Sequence, residues 1–115
     1  MVVGHEQDVP HVKLTGEHLK NVTKKVLISP EDGWEDHVMR LFELAEGGHT
    51  PRHRHGWPHI NYVARGKGIL YLGGTEYNLE EGSYAYVPAE QEHQFLNRGK
   101  ETFALICIVP VEGEQ

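Results

Sequence analysis

Residues 47–66 read Gly47-Gly48-His49-Thr50-Pro51-Arg52-His53-Arg54-His55-Gly56-Trp57-Pro58-His59-Ile60-Asn61-Tyr62-Val63-Ala64-Arg65-Gly66, and this stretch decides the fold. In an extended strand alternate side chains share a face, so His53 and His55 point the same way, with Cα atoms roughly 6.6 Å apart. Two imidazoles so placed can converge on one metal ion. Gly56-Trp57-Pro58 supplies a bend that returns His59 toward the same centre at the mouth of the next strand, where Asn61 and Val63 share its side. A fourth histidine, His93, lies 34 positions further on and shares a strand face with Phe95 and Asn97. Nothing local proves that it meets the other three.

On either side of this stretch, short strands alternate with Gly, Pro, Asn and Asp. Val12 to Leu14, Lys25 to Ser29 and His37 to Ala45 precede it, with Ser29-Pro30-Glu31-Asp32-Gly33 as a turn. His59 to Arg65, Gly68 to Leu72, Thr75 to Leu79, Ser83 to Val87, His93 to Leu96 and Thr102 to Val109 follow, cut by Gly66, Gly73-Gly74, Pro88-Ala89-Glu90-Gln91 and Asn97-Arg98-Gly99-Lys100. Eight or nine strands at this spacing predict an all-β barrel or sandwich. Thr15 to Val22 is expected to hold one short helical turn, and Val111 to Gln115 to fray.

At 115 residues the chain is expected to form one domain. A formal net charge of -6 argues against nucleic acid as a partner, which calls for a basic face. No run approaches the roughly 20 apolar residues of a membrane span, and the start lacks the basic and apolar regions of a signal peptide. A soluble, cytoplasmic protein with no membrane partner is expected. The single cysteine, Cys107, allows neither an intrachain disulfide nor a thiolate zinc cage. Any metal must sit on His, Asp or Glu.

With these intervals the chain resembles the cupins. Their first motif is Gly, five residues, His-x-His, three or four residues, Glu, six residues, Gly; Gly47, His53, His55, His59 and Gly66 stand at those places, with His59 replacing the Glu. Their second motif is matched by Gly82, Pro88, His93 and Asn97, while Glu90 stands where it has an inner Gly, so a different backbone conformation is expected before His93. Fifteen residues, Lys67 to Glu81, separate the two. The resemblance implies a double-stranded β-helix, or jelly-roll, barrel over about residues 37–110, holding one divalent metal on His53, His55, His59 and His93. It also implies an extra N-terminal strand segment, residues 9–29, at a homodimer interface. The chain also resembles small four-histidine, manganese-containing cupins, including in Val38-Met39-Arg40-Leu41-Phe42 and Leu105-Ile106-Cys107. That puts Mn(II) first, with Fe, Ni, Zn or Cu also suited to imidazole.

Arg40, Trp57, Phe95 and Cys107 are the candidate pocket residues. Arg40 lies among apolar neighbours, so it is exposed or paired; facing inward, it could clasp a substrate carboxylate. Tyr62 and Leu105 read as core, and Gly66, Gly82, Pro88 and Asn97 as turn-formers. His5, His11, His18 and His37 read as ordinary surface or strand histidines, and His49 lies where the family has no ligand. Functionally the leading expectation is a metal-dependent dioxygenase or oxidoreductase acting on a small organic substrate. A non-redox decarboxylase, isomerase or cyclase, or a non-catalytic metal-bearing binding module, stands beside it.

Overall fold

Strand β4 (His59–Arg65) shows how the fold is built: its burial alternates residue by residue, with His59, Asn61 and Val63 inside and Ile60 and Tyr62 outside. The same two-residue period runs through β9 (Phe103–Pro110), where Phe103, Leu105, Cys107 and Val109 face inward. The computed structural model describes residues 1–114. Among these, the other strands are β1 (Val12–Lys13), β2 (Lys20–Ile28), β3 (His37–His49), β5 (Gly68–Leu72), β6 (Thr75–Leu79), β7 (Tyr84–Val87) and β8 (His93–Leu96), and no α-helix is present.

All neighbouring strands pair antiparallel, in the order β6-β5-β8-β3-β9-β4-β7, with β2 added to β3 and β1 to β2. The 13 residues of β3 reach across both layers. Most of the strand pairs with β9, and its last residue, His49, pairs with Leu96 of β8. The sheet thereby curls into a nearly closed jelly-roll barrel. One end is plugged by Leu44, Val63, Leu70, Phe95, Phe103 and Leu105, all buried. Burying each such side chain contributes about 1.5–3 kcal/mol. Gly68 has no room for a side chain, because a Cβ there would strike the Phe103 ring.

Several expectations are corrected. Thr15 to Val22 is not helical: after a turn at Glu17 and His18, β2 begins at Lys20. Asn21 takes φ +52°, incompatible with a right-handed helix, and its amide donates to the Glu46 carbonyl at 3.1 Å, stitching a bulge in β2 to β3. Tyr62 is not core; it is 51% exposed on the outer face of β4. The segment after β9 is not frayed over residues 111–114, where a 3-10 turn is tied down by Val111 N donating to Asp36 O at 2.9 Å; Gln115 lies outside the described residues. Glu90 adopts φ +67°, the left-handed conformation a Gly would supply, so the turn before β8 keeps that backbone despite the change of residue. Beyond these corrections, the N-terminal segment extends the chain's own sheet, with β2 paired along β3 and β1 forming an edge.

Candidate metal centre

Backbone pairing brings the distant histidine to the others. His53, between β3 and β4, forms an isolated bridge with His93 at the start of β8, each amide donating to the other's carbonyl at 3.1 and 2.9 Å. His55 follows two residues later on the same side, its ring centroid 5.0 Å from that of His53 and 4.8 Å from that of His93. One nitrogen from each of His53, His55 and His93 lies within 4.8 Å of the other two. His59 enters from β4 and sets its Nε2 3.2 Å from that of His93. Imidazoles sharing one cation at about 2.1 Å place adjacent nitrogens about 3 Å apart, so this pair has the spacing of neighbouring ligands.

Proton positions follow from the hydrogen-bond partners. His55 Nδ1 lies 2.8 Å from Trp57 O, His59 Nδ1 2.6 Å from Asn61 Oδ1, and His93 Nδ1 2.9 Å from Gln91 O. Carbonyl oxygens only accept, so each Nδ1 carries the hydrogen and each Nε2 keeps a bare lone pair. Asn61 Nδ2 donates to Ile106 O at 3.3 Å, which turns Oδ1 toward His59. The His59 and His93 lone pairs therefore face each other across 3.2 Å, a repulsive contact unless an electron-pair acceptor lies between them.

Protonation does not resolve the clash at neutral pH. Burial pushes His59 down to about 3; the Asn61 hydrogen bond opposes this, and the His93, His55 and Arg40 charges add to it. Burial, with His93 and His55 nearby, lowers His53 to about 4, and burial also lowers His93. His53, His59 and His93 are thus held as neutral nitrogen bases, and the second nitrogens of His55, His59 and His93 are held by carbonyls, the arrangement that orients imidazoles toward a metal. The residues present fit a divalent cation.

The histidines open into a cavity of about 430 Å³. Phe42, Phe95 and Leu105 give it apolar walls, and Trp57 stacks on His55 with centroids 4.6 Å apart. Arg40, Asn61 and Cys107 also line it, and all three stand on one rung, since Cys107 of β9 pairs with Arg40 of β3 and with Asn61 of β4. Burial raises the Cys107 thiol above its ordinary value. Thus the cavity wall includes Arg40, Trp57, Phe95 and Cys107.

His49 stays off the cluster, its Nδ1 3.2 Å from Thr50 O, and His37 stacks on Trp34 with centroids 4.5 Å apart. Sequence reasoning passed over the contributions of Leu14, Leu19, Val22 and Gly113 to the wall. Their signal is not local, because they come from outside the two motifs. Asn61 was traceable by its two-residue offset from His59.

An antiparallel barrel holding inward imidazoles at one end and an apolar plug at the other defines a metal-site type of β-barrel. The chain belongs to the cupin family, with residues 40–109 matching the Cupin_2 cupin domain. Auxin-binding protein 1 of Arabidopsis thaliana is 29% identical over 86 residues, which are 67% of this chain and 43% of that protein. The 1-methylthio-D-xylulose 5-phosphate methylsulfurylase of Rhodospirillum rubrum is 26% identical over 96 residues, 84% of this chain and 60% of the enzyme. The chain spans about half the length of the curated relatives it matches. Among solved structures, the polyketide cyclase RemF of Streptomyces resistomycificus superposes with a TM-score of 0.90 at 28% identity, over 96% of this chain and 80% of that one. A predicted oxalate decarboxylase of Thermotoga maritima gives 0.87 at 18% identity, over 95% and 98%, a likeness of fold alone. No helix among the described residues is long and apolar enough to cross a membrane.

Proposed function

We propose that this cupin holds one divalent cation on His53, His55, His59 and His93 and acts on a small, largely apolar organic molecule in the adjoining cavity. The observation that carries this reading is the pair of bare Nε2 lone pairs 3.2 Å apart, with the Nδ1 of both rings engaged by carbonyls. The resemblance to manganese cupins puts Mn(II) first, and imidazole also suits Fe, Ni, Zn and Cu. When bound, such an ion supplies Lewis-acid polarisation of a substrate oxygen and, if redox-active, one-electron chemistry with dioxygen.

Around it the chain's own residues hold and shield. Asn61, Trp57 O and Gln91 O fix three imidazoles, while Phe42, Phe95 and Leu105 exclude water from the substrate's apolar body. No Asp or Glu lines the cavity among the described residues, and the Glu114 carboxylate beside it is tied up in ion pairs with Arg40 and Lys24, so no free carboxylate base faces the substrate. That favours a metal-dependent dioxygenase or oxidoreductase. A non-redox cyclase is the second reading, favoured by the likeness to RemF, whose reaction is a polyketide cyclisation.

Elemental analysis of protein purified without added metal is expected to give about one ion per chain, and His93→Ala to strip it. A wild-type chain that takes up no ion, or a His93→Ala chain with unchanged affinity, would overturn the proposal. Oxygen consumption across a substrate screen separates the two reactions. A homodimer through residues 9–29 belongs to the same proposal, supported by the edge position of β1 and by Val12, 58% exposed. Light scattering that finds only monomer at micromolar concentrations refutes it.

A further inference from the structure

Arg40 brings a formal charge into an apolar chamber with an incomplete set of partners. It is 9% exposed, and a guanidinium presents five N–H donors. Nη1 lies 3.2 Å from Glu114 Oε1 and 3.4 Å from Gly113 O, Nη2 lies 3.0 Å from Cys107 Sγ, a weak acceptor, and the buried Nε has no acceptor at all. A buried guanidinium is costly unless an anion is fully paired with it. Its one anion is shared: the Glu114 carboxylate also lies 3.1 Å from Lys24 Nζ. One carboxylate thus serves two cations. The chain as a whole is acidic, at -6, so this positive interior is a local construction.

Glu114 is delivered by the 3-10 turn Val111–Glu114, which straps the side of the chamber. Gly113 seats the strap against Trp57 so closely that a Cβ would lie 2.6 Å from its Nε1, and Gly113 itself lines the cavity. Glu114 therefore reaches Arg40 from beside the ligand space. An entering carboxylate meets the Nη1 and Nη2 end of Arg40, and a displaced Glu114 keeps its ion pair with Lys24. The exchange strands no charge.

We infer that the chamber's ligand is a small molecule bearing one carboxylate on an apolar body, that Arg40 recognises that carboxylate, and that Glu114 is a built-in competitor occupying Arg40 until the ligand arrives. This deepens the proposed function by naming the substrate class of the same cavity, and Arg40's part in it does not require the cation. A lone guanidinium suits a monoanionic carboxylate better than a dianionic phosphate, which draws on several donors.

The test follows Trp57 emission in a Trp34→Phe background, which leaves Trp57 as the sole tryptophan. The full chain, both loaded with Mn(II) and metal-stripped, is titrated with benzoate, phenylacetate and hexanoate, with the amide of each, and with phenyl phosphate. At least one carboxylate is expected to bind about tenfold more tightly than its amide, and Glu114→Gln to tighten it about fivefold with metal content unchanged. Arg40→Met is expected to bring the carboxylate down to the amide's affinity, and Arg40→Lys to restore part of the difference. Equal binding of acid and amide, weaker binding in Glu114→Gln, preference for phenyl phosphate, or no carboxylate binding up to about 10 mM overturns the inference. Carboxylate preference in a chain that takes up no metal sustains the role of Arg40 while the cation reading fails; metal uptake without that preference does the reverse.

Discussion

Acidifying the metal-free protein from about pH 7.5 to about pH 5 is expected to cost at least about 3 kcal/mol of stability, about 2 of it through His59, with buried His93 adding in the same direction. Burial in the barrel pushes this imidazole down to about 3, whereas in the unfolded chain it titrates near about 6.5. Below that value the unfolded chain takes up a proton that the folded chain refuses. The contribution is therefore fully present above the unfolded value and drains away as pH falls toward the folded one. At about pH 5 the unfolded ring is about 97% protonated while the folded ring is still neutral, a loss of about 2 kcal/mol that hardly depends on how far below 5 the folded value lies. His53, at about 4, has the same sign, but its ring is exposed and solvent screening leaves about half as much, roughly 1 kcal/mol. At about 4 °C per kcal/mol for a domain of this size, the melting temperature should fall by at least about 12 °C.

Calorimetry on chelator-treated protein at the two pH values measures this, with His59→Gln as the control whose fall should be much smaller. The window lies above the range in which Glu6, held below its usual value by the Arg65 hydrogen bond, loses its own contribution. A fall under about 3 °C, or an equal fall in His59→Gln, refutes the reasoning. Imidazoles titrating like free histidine would release metal between about pH 6 and 5. Protons compete less well inside the barrel, so release should move below about pH 5.

Asn61→Leu keeps the branched shape but removes the acceptor at 2.6 Å that orients His59, so metal affinity should drop about 10–100-fold in a chelator competition with the fold retained; unchanged affinity counts against the orienting role. Glu90→Gly relieves a left-handed residue and should raise stability by about 0.5–1 kcal/mol in urea unfolding, an effect of opposite sign arguing that the side chain compensates its backbone. Asn97→Ala should cost about 3 kcal/mol, since the buried amide donates to the Leu44, Ala45 and Glu101 carbonyls and its oxygen accepts from Gly99 N; a loss under about 1 kcal/mol would show that water replaces those bonds.

Alternating or short apolar runs bounded by turn residues were legible as they stand: β4, β5, β6 and β8 have the bounds read from residues 59–65, 68–72, 75–79 and 93–96. Both features are local, set by the pleat and by which residues tolerate a turn. At β2 local reading failed, because Asn21 bulges to suit the edge of β3, a partner some 25 residues away in sequence. Tyr62 failed differently: its aromatic ring reads as core, but the face is decided by His59, Asn61 and Val63, which take the inside.

By itself, then, the sequence determined the strands, most of the turns and the two histidine motifs, because alternation, turn chemistry and short spacings are properties of neighbouring residues. Only the tertiary structure decided that His93 pairs with His53 and that three imidazole protons are held by carbonyls. It alone brought Glu114 back across the chain to Arg40 and Lys24. Those contacts join residues tens of positions apart, and they exist only once β3, β8 and β9 have closed the barrel and taken its interior out of water.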